Sequence, residues 1–389
     1  MEGHLEHGDV ASPSAGRGPY RVDVVHGREG FRALRRDWDA ILASGPIDLP
    51  LHRHACVEAW LEAFRPDARL RVLVVRDALG KAVGIAPLLE ERKGATTTLA
   101  APANLHTPRV EWVLGEDAEG AAEALWSALR DALRWDVLEL RYLRREGPTS
   151  RLVERLARRD HHLVGRYRAM RMPYLALAGE AWSSKVTSRF AKGLRRHLRR
   201  LLERGAVSYR RVDRGEDAER GIDEFLALEA SGWKGRAASA IASDPRTAAF
   251  WRGVMRAGAR EGWLALRALD VDGRPVAMQL GLLHRGVFSG AKVAYDERFA
   301  ACSPGQLLSR EVVAECEAMR LAEADLIGPD ARWKREWGPA YRDVDWLFVY
   351  RPGLAGAARH AVRRARMLAR AARGRLARKT RSWAAWRLH

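Results

Sequence analysis

The order of apolar and polar positions along the first half of the chain alternates between strand-like and helix-like segments. Alternation over residues 20–25 predicts a strand, whereas residues 27–44 and 54–64 carry apolar residues at the three- and four-residue spacing of helices. Residues 69–92 hold two apolar runs around a turn signal at Gly80 and predict a β-hairpin. The remaining predicted segments of this half are strands over 96–105, 109–115 and 136–143 and a helix over 116–134.

The second half of the chain repeats this order. Residues 206–212 predict a strand, 217–233 and 245–262 predict two helices, and 263–296 predict three antiparallel strands. A helix from Ser303 to about Leu321 then precedes a short strand over 323–328.

The hairpins of the two halves can be overlaid at one constant offset. In that overlay Asp77, Gly80, Lys81 and Val83 match Asp270, Gly273, Arg274 and Val276. The repeated pattern predicts a duplicated α+β unit. We expect a first half over residues 20–180 and a second half over 181–350.

Composition narrows the class of protein. The apolar content of 47% and the 14 Trp exclude a largely disordered chain, and the 389 residues exceed one ordinary core. The three cysteines, Cys56, Cys302 and Cys316, lack CxxC spacing, which argues against a disulfide framework or a cysteine zinc site and favours a reducing interior. Because no His, Asp or Glu set has metal-ligand spacing either, we predict no metal.

The segment 1–19 is polar and is expected to be disordered. It lacks the apolar core of a Sec-type signal peptide. No apolar run approaches the roughly 18 residues of a membrane-spanning helix. We therefore expect a cytoplasmic protein.

The charge of +19 is concentrated at the C-terminus. Residues 351–389 carry twelve Lys or Arg and no acid, so removing them from +19 leaves +7 for the rest. This Ala/Arg/Leu-rich tail, with Trp383 and Trp386 near its end, predicts a basic helix. Such a helix suits the anionic inner face of a membrane or RNA, and a solvated appendage without a partner accounts for it equally well.

A second basic segment lies between the halves. Residues 183–205 hold eight Lys or Arg against one acid, Glu203, and Leu194, Leu198 and Leu201 recur at helical spacing. The pattern predicts a linker helix docked by its apolar side. Its basic side is either solvated or forms an electropositive wall for a phosphate-bearing substrate.

Four stretches carry a resemblance to a known family. They are "FLALEASGWKGR", "FWRGVMRAGAREGWLALRALDVDGRPVAMQLGL", "AKVAYDERFAACSPGQLLSREVV" and "ADLIGPDARWKREWG", and the early "PLHRHACVEAWLEAF" adds to them. In this order and spacing they resemble the CelD-type acetyltransferases of the GNAT superfamily, linked to bacterial cellulose and exopolysaccharide synthesis. The resemblance covers about Phe31 to Trp346.

The resemblance implies a tandem pair of GNAT-like folds, an architecture shared with the Fem-type peptidoglycan aminoacyl transferases. The implied reaction is direct acyl transfer from an acyl-CoA, with acetyl-CoA as the expected donor, to an amine or hydroxyl. The implied acceptor is a cell-envelope or polysaccharide precursor. Two alternatives stay open: a Fem-like transferase that uses aminoacyl-tRNA, and a non-catalytic membrane- or RNA-associated module on a GNAT scaffold.

The turn before the helix at Ser303 is the candidate CoA-binding element. Ser303 is a favourable N-cap, Pro304 fits the first helical position and Gly305 lets a phosphate approach the backbone, where unpaired N–H groups and the helix dipole favour anions. The GNAT superfamily usually has Gln/Arg-x-x-Gly-x-Gly/Ala here, whereas "CSPGQL" has one glycine, so a capped structural helix is the other interpretation. The predicted cofactor-binding residues are Ser303, Pro304, Gly305, Gln306 and Leu307.

The corresponding turn of the first half carries acids. Glu116 and Asp117 stand at that helix start, where their carboxylates would satisfy the dipole and repel a phosphate. We therefore expect the cofactor in the second half, and a structural or acceptor-binding role for the first half.

Lys292, Tyr295 and Asp296 end a strand that is otherwise suited to burial. A regular strand cannot point all three side chains the same way. We expect Lys292 to position an acidic group of the acceptor, Tyr295 to protonate the leaving thiolate and Asp296 to assist catalysis. A core aromatic and a turn acceptor are the alternatives for Tyr295 and Asp296.

The remaining candidates flank that strand in the sequence. Glu229 is the preferred general base for an amine acceptor, because a carboxylate partly buried near Trp233 would have a raised pKa. An ordinary surface glutamate is the alternative. Trp233, Lys234 and Lys334 are the further predicted substrate-binding residues, and "DARWKREWG" forms either a lid or a simple aromatic corner.

Overall fold

The computed structural model describes residues 19–46, 49–179, 181–213, 215–232 and 241–386. Their helices are α1 (Gly27–Ala33), α2 (Arg35–Ser44), α3 (His54–Phe64), α4 (Ala118–Ala132), α5 (Pro148–Arg159), α6 (Trp182–Lys185), α7 (Ser188–Leu202), α8 (Gly215–Ser231), α9 (Pro245–Glu261), α10 (Pro304–Ala318), α11 (Arg332–Arg335) and α12 (Leu354–Trp386). Short 3₁₀ turns span Pro50–His52, Ile241–Ser243 and Glu297–Cys302. The predicted disordered segment falls, up to residue 18, outside the described residues.

The strands form one thirteen-stranded sheet. They are β1 (Arg21–His26), β2 (Arg69–Arg76), β3 (Ala82–Lys93), β4 (Thr96–Ala100), β5 (Val113–Leu114), β6 (Val137–Arg144), β7 (Leu163–Ala176), β8 (Val207–Arg211), β9 (Leu264–Val271), β10 (Arg274–His284), β11 (Val287–Tyr295), β12 (Glu323–Asp325) and β13 (Ala340–Tyr350). Their spatial order is β1-β2-β3-β4-β6-β13-β7-β12-β11-β10-β9-β8, and β5 pairs with β3.

This order shows the predicted duplication and an exchange of terminal strands. Each half has four antiparallel strands followed by one parallel neighbour, β4 with β6 in the first half and β11 with β12 in the second. The last strand of each half then joins the other half, because β7 pairs with β12 and β13 pairs with β6. The mixed α/β, duplicated fold class is confirmed. The division of the chain at residue 180 stays a prediction, and in space the strands of both halves share one sheet.

Local sequence signals account for the elements that the periodicity predicts well. In α9 the Asp244 carboxylate accepts from the Arg246 amide, Pro245 occupies the first turn, and Gly262 ends the helix at φ 76°. The equivalent hairpin turns also agree with the overlay, because Gly80 and Gly273 both adopt positive φ, at 80° and 74°. The predicted helix over 27–44 is interrupted at Leu34, which separates α1 from α2.

The two halves also share a hydrophobic core. One cluster joins Phe31 and Trp38 of the first half to Phe225, Phe250 and Trp251 of the second. Separate clusters lie under α4 and α5 and under α7 and α10. The halves are therefore held together by a common apolar interior as well as by the sheet.

A buried ion pair crosses between the halves. The Arg109 guanidinium lies 2.8 Å from Asp325 Oδ2, with 6% and 0% of the two side chains exposed. The other oxygen, Asp325 Oδ1, accepts from the Ile327 amide at 2.9 Å. Burial lowers the pKa of Arg109, and the Asp325 carboxylate opposes that shift.

We expect Arg109→Leu to destabilise the protein by about 3–5 kcal/mol, because it leaves a buried carboxylate without its cation. Arg109→Leu combined with Asp325→Asn should recover part of that loss, since Asn keeps an acceptor for Ile327 and carries no charge. Urea unfolding measures both. The control is Arg155→Leu, which breaks the exposed pair with Glu119 and should cost less than about 1 kcal/mol. Equal costs for Arg109→Leu and Arg155→Leu would contradict the prediction.

Candidate functional site

The second half of the sheet opens between β11 and β12. The two strands pair in parallel from Val287 with Glu323 to Ser289 with Asp325, and β12 ends there. Strand β11 continues for six more residues, to Tyr295, paired on its other side with β10. In the described part of the chain no strand pairs with β11 on this side beyond Ser289, and a notch lies beside Gly290–Tyr295.

A β-bulge lies at the start of the uncovered edge. Leu280 of β10 pairs with Lys292, while the next residue, Gly281, pairs with Gly290. Ala291 is therefore the extra residue of β11. Bulges increase local twist and redirect side chains, and they are over-represented beside active sites.

The notch leads into a cavity of about 490 Å³. Strand β11 forms one wall, and the start of α10 and the segment 324–337 form the others. Seven of the predicted site residues line this cavity together: Lys292, Tyr295, Ser303, Pro304, Gly305, Gln306 and Lys334.

The turn that begins α10 is not capped by the Ser303 side chain, in contrast to the expectation from the sequence. Ser303 is a left-handed residue, at φ 47° and ψ 54°, and its side chain makes no capping hydrogen bond. The prediction of a side-chain cap is wrong because this backbone conformation replaces the extended one of an ordinary N-cap. Instead the Ser303 carbonyl accepts from the amides of Gln306 at 3.0 Å and Leu307 at 3.2 Å.

These bonds reduce the number of donors that the turn offers to a ligand. Pro304 has no N–H, and the amides of Gln306 and Leu307 are engaged. The donors left to the first turn are the Gly305 amide and the Gln306 side chain. The turn is nevertheless free of acids, so the positive end of the dipole of α10 is not neutralised there.

Gly305 allows α10 to pack closely on β11. A Cβ at this position would lie 3.3 Å from Val293 Cγ1 and 3.7 Å from Tyr295 Cδ1. The glycine brings the helix start against the open strand edge. The same contacts place Tyr295 on the face of the sheet that carries α10.

Lys292 lies on the opposite face. Its Nζ is 6.0 Å from the ring centre of Trp251 in α9. The expectation that Lys292 and Tyr295 point to different faces is confirmed. An acceptor held by Lys292 would reach the notch from the side of α9, whereas the turn Ser303–Gly305 is on the side of α10.

Lys334 is a buried cation beside the cavity. Its side chain is bent back, so that Nζ donates to the carbonyls of Ile327 at 2.7 Å and Pro329 at 3.2 Å. Burial lowers its pKa to about 8, and the carboxylates of Asp325 and Asp330 act in the opposite direction. Lys334 therefore fixes one wall of the cavity and places a positive charge there.

The other predicted catalytic carboxylates lie outside the cavity lining. Asp296 caps the turn Glu297–Cys302 through the Arg298 amide and pairs with the Arg298 guanidinium, which lowers the pKa of Asp296. Glu229 is 2% exposed and accepts from the Ile241 amide at 2.6 Å. These contacts give both carboxylates structural roles, and their catalytic roles stay predictions.

Three further predicted residues are placed as follows. Leu307 is buried in the core under α10 and does not line the cavity. Trp233 and Lys234 lie outside the described residues. Several lining residues were not predicted from the sequence, among them Gln279, Ser309 and Ile327. Trp333 and Trp337, which also line the cavity, belong to the stretch "DARWKREWG" that was predicted to form a lid or an aromatic corner.

The first half closes the equivalent notch with its own chain. Beyond the three pairs of β4 with β6, Val110 bridges Leu143 of β6 and β5 pairs with β3, so residues 110–114 occupy the space between β3 and β6. The start of α4 is also occupied, because the Asp117 carboxylate accepts from the Gly120 amide at 2.9 Å. The predicted acidic cap in the first half is confirmed.

Two general features of the chain bear on the kind of site. Within the described residues, no group of three or more His, Cys, Asp or Glu side chains is arranged to hold a metal ion. No helix of that same part combines the length and the apolarity needed to span a bilayer.

The lowered pKa of Lys334 predicts a pH effect on stability. The unfolded lysine has a pKa near 10.5 and the folded one about 8, so the unfolded state holds more protons between these values. The wild type should therefore gain stability as pH rises from 8 to 10.5, by up to about 3 kcal/mol. The free energy of unfolding in urea is measured across this range for the wild type and for Lys334→Met. Subtracting one from the other cancels the contributions of the other titrating groups. If the difference in unfolding free energy between the two proteins does not change above pH 8, the lowered pKa of Lys334 is contradicted.

Comparison with known proteins agrees with this geometry. Residues 188–335 match the family model described as an acetyltransferase (GNAT) domain, a span that begins at α7 and contains nearly all of the cavity lining. No curated protein matches the chain in sequence.

Solved structures share the fold at low identity. FemX is 12% identical, with a TM-score of 0.58 over 81% of this chain and 95% of FemX. A conserved protein of unknown function from Bacteroides thetaiotaomicron is 13% identical, with a TM-score of 0.52 over 82% and 97% of the two chains. L-PGS from Bacillus licheniformis is 12% identical, with a TM-score of 0.50 over 84% and 96%. The chain is thus a transferase with a duplicated mixed α/β fold, in which residues 188–335 match an acetyltransferase (GNAT) domain.

Proposed function

We propose that the protein is an acyl-CoA-dependent acyltransferase, with acetyl-CoA as the donor. In this proposal the acyl group passes directly to an amine or hydroxyl of a cell-envelope or polysaccharide precursor, as the CelD-type resemblance implies. The observation that supports the donor is the open notch between β11 and β12 beside the acid-free start of α10. Because acyl-CoA is a cytoplasmic metabolite, we place the activity in the cytoplasm.

The notch fits the chemistry of a CoA thioester. The pantetheine arm has two amides, which can donate to and accept from backbone groups along the strand β11 that lines the cavity, in the way that a neighbouring strand would. The pyrophosphate carries negative charge, which the start of α10 favours through the Gly305 amide and the helix dipole. Gln306 adds a side-chain donor at the same place.

The surroundings of the notch are also electropositive. Helix α7 buries Leu194 and Leu201 and packs Phe190 against Trp337 of the cavity wall, at 5.4 Å between ring centres. The predicted docking of this helix is therefore observed. Its outward side carries exposed cations that have no carboxylate within ion-pair distance among the described residues: Arg189, Lys192, Arg195, Arg196, Arg199 and Arg200. They favour a substrate with several phosphates.

The side chains of the cavity can serve direct transfer. The donor supplies an activated carbonyl and a thiolate leaving group. Tyr295, at the end of the open edge, is our candidate to deliver a proton to the thiolate, and the buried cation Lys334 favours negative charge that develops in the cavity. We keep Glu229 as the candidate base. For this role the acceptor must reach the Glu229 carboxylate, which already accepts a hydrogen bond from the Ile241 amide.

Gln306→Glu tests the donor site, because it should stabilise the free protein and weaken the binding of acetyl-CoA. An acid in the first helical turn interacts favourably with the dipole, so the free protein should melt at an equal or higher temperature. The same charge should repel the CoA pyrophosphate. Acetyl-CoA should raise the melting temperature of the wild type, and this shift should be absent in Gln306→Glu.

Gln306→Met is the matched control. It removes the side-chain donor without adding charge, so it should keep most of the shift caused by acetyl-CoA. A wild-type protein that is not stabilised by any acyl-CoA would overturn the proposal. If tRNA binds instead, with a steep dependence on salt and with loss in Gln306→Glu, the aminoacyl-tRNA alternative is favoured.

A further inference from the structure

We infer that the outward side of helix α12 is a docking surface for an anionic membrane. The helix spans Leu354–Trp386 and carries ten Lys or Arg and no acid. The structure divides the cations between residues 354 and 373 into those with an ion pair or ring contact to the sheet, which are Arg359, Arg363 and Arg370, and those with no such contact among the described residues. This surface is independent of the notch between β11 and β12.

One set of side chains docks the helix on the central strands. Arg359 lies 3.2 Å from an Asp136 carboxylate oxygen, and Arg363 lies 3.6 Å from a Glu139 carboxylate oxygen. The Arg363 guanidinium also stacks 3.8 Å from the ring centre of Phe348. Arg359 and Arg363 are four residues apart and therefore lie on one side of the helix, the inward side.

The opposite side of the helix is apolar and exposed. Leu354 is 92% exposed and Val362 is 50% exposed. Small apolar residues continue this side at three- and four-residue spacings, and all are exposed: Ala358, Ala361, Ala365, Ala369 and Ala372. No described residue covers this strip.

Cations flank the apolar strip on both sides. Arg366 and Arg373 are seven residues apart on one border, and Arg364 stands on the other. All three are exposed and have no ion pair among the described residues. The surface thus has an apolar centre with positive borders, and on one border Arg364 also lines a groove beside Val164–Arg168 of β7.

This arrangement favours a lipid surface over RNA. The apolar strip can enter the boundary between headgroups and acyl chains, while arginines at its borders reach the anionic headgroups. A phosphate backbone would use the cations alone and would leave Leu354 and Val362 exposed. Because the helix is docked through Arg359 and Arg363, its outward side is presented with a defined orientation.

The test is co-sedimentation of the full chain with vesicles. Wild-type protein should bind vesicles of phosphatidylcholine mixed with phosphatidylglycerol, bind vesicles of phosphatidylcholine alone weakly, and be released by salt. The combined variant Arg364→Glu, Arg366→Glu and Arg373→Glu should lose at least about tenfold in affinity for the mixed vesicles. Its melting temperature should be unchanged, because the three side chains are exposed.

A matched variant separates this surface from net charge. Arg189→Glu, Arg196→Glu and Arg199→Glu make the same change in charge on α7 and should keep most of the vesicle binding. Equal loss in both triple variants would show that overall charge alone causes binding and would overturn the proposal.

The apolar strip has its own test. Leu354→Asn with Val362→Asn should weaken vesicle binding severalfold, whereas Leu79→Asn, at a 93% exposed site in the β2–β3 turn, should not. Unchanged vesicle binding in the variant Leu354→Asn with Val362→Asn would overturn the assignment. So would a protein that does not bind vesicles but binds tRNA through Arg364, Arg366 and Arg373.

Discussion

The antiparallel pairing of β7 with β13 is the contact on which the rest of the structure depends. The two strands run together from Tyr174 opposite Ala340 to Leu163 opposite Tyr350, and each then serves the half of the chain from which it does not come. Strand β12 has three residues and is held between β7 and β11. One wall of the notch is therefore positioned by a strand of the first half. A change in the packing of that half will be felt at the proposed donor site.

The two notches show how one topology can be used for structure or for binding. In the first half, residues 110–114 occupy the gap and Asp117 occupies the helix start, so the backbone groups and the dipole are satisfied within the chain. In the second half, no described strand pairs with β11 beyond Ser289 on the side of β12, and the start of α10 carries no acid, so both line an open cavity. The difference lies in the segments between strands, since the strand orders correspond. This is why we propose a structural role for the first notch and donor binding for the second.

The sequence predicted the local elements well because their signals are local. The apolar periodicity of α9 and the acid at position 117 each act within a few residues of themselves. The strand exchange depends instead on pairings between residues more than 150 positions apart, such as Tyr174 with Ala340, which no local pattern encodes. The candidate site shows the same limit. The turn Ser303–Gly305 could be recognised, whereas the left-handed Ser303, the bulge at Ala291 and the approach of Trp337 depend on tertiary packing.

Lys334 illustrates how stability and function are connected at the cavity. A buried ammonium group with a lowered pKa is unfavourable for folding at neutral pH, and its two carbonyl partners, Ile327 and Pro329, require hydrogen-bond donors but no charge. A cation in this position therefore destabilises the free protein relative to a neutral side chain. Its electrostatic benefit appears when negative charge develops in the cavity, because the same burial that lowers the pKa weakens the screening of that charge. Preorganised catalysis uses groups that destabilise the free protein but stabilise the charge that develops during the reaction. We therefore count Lys334, with Tyr295, among the residues on which the proposed transfer depends.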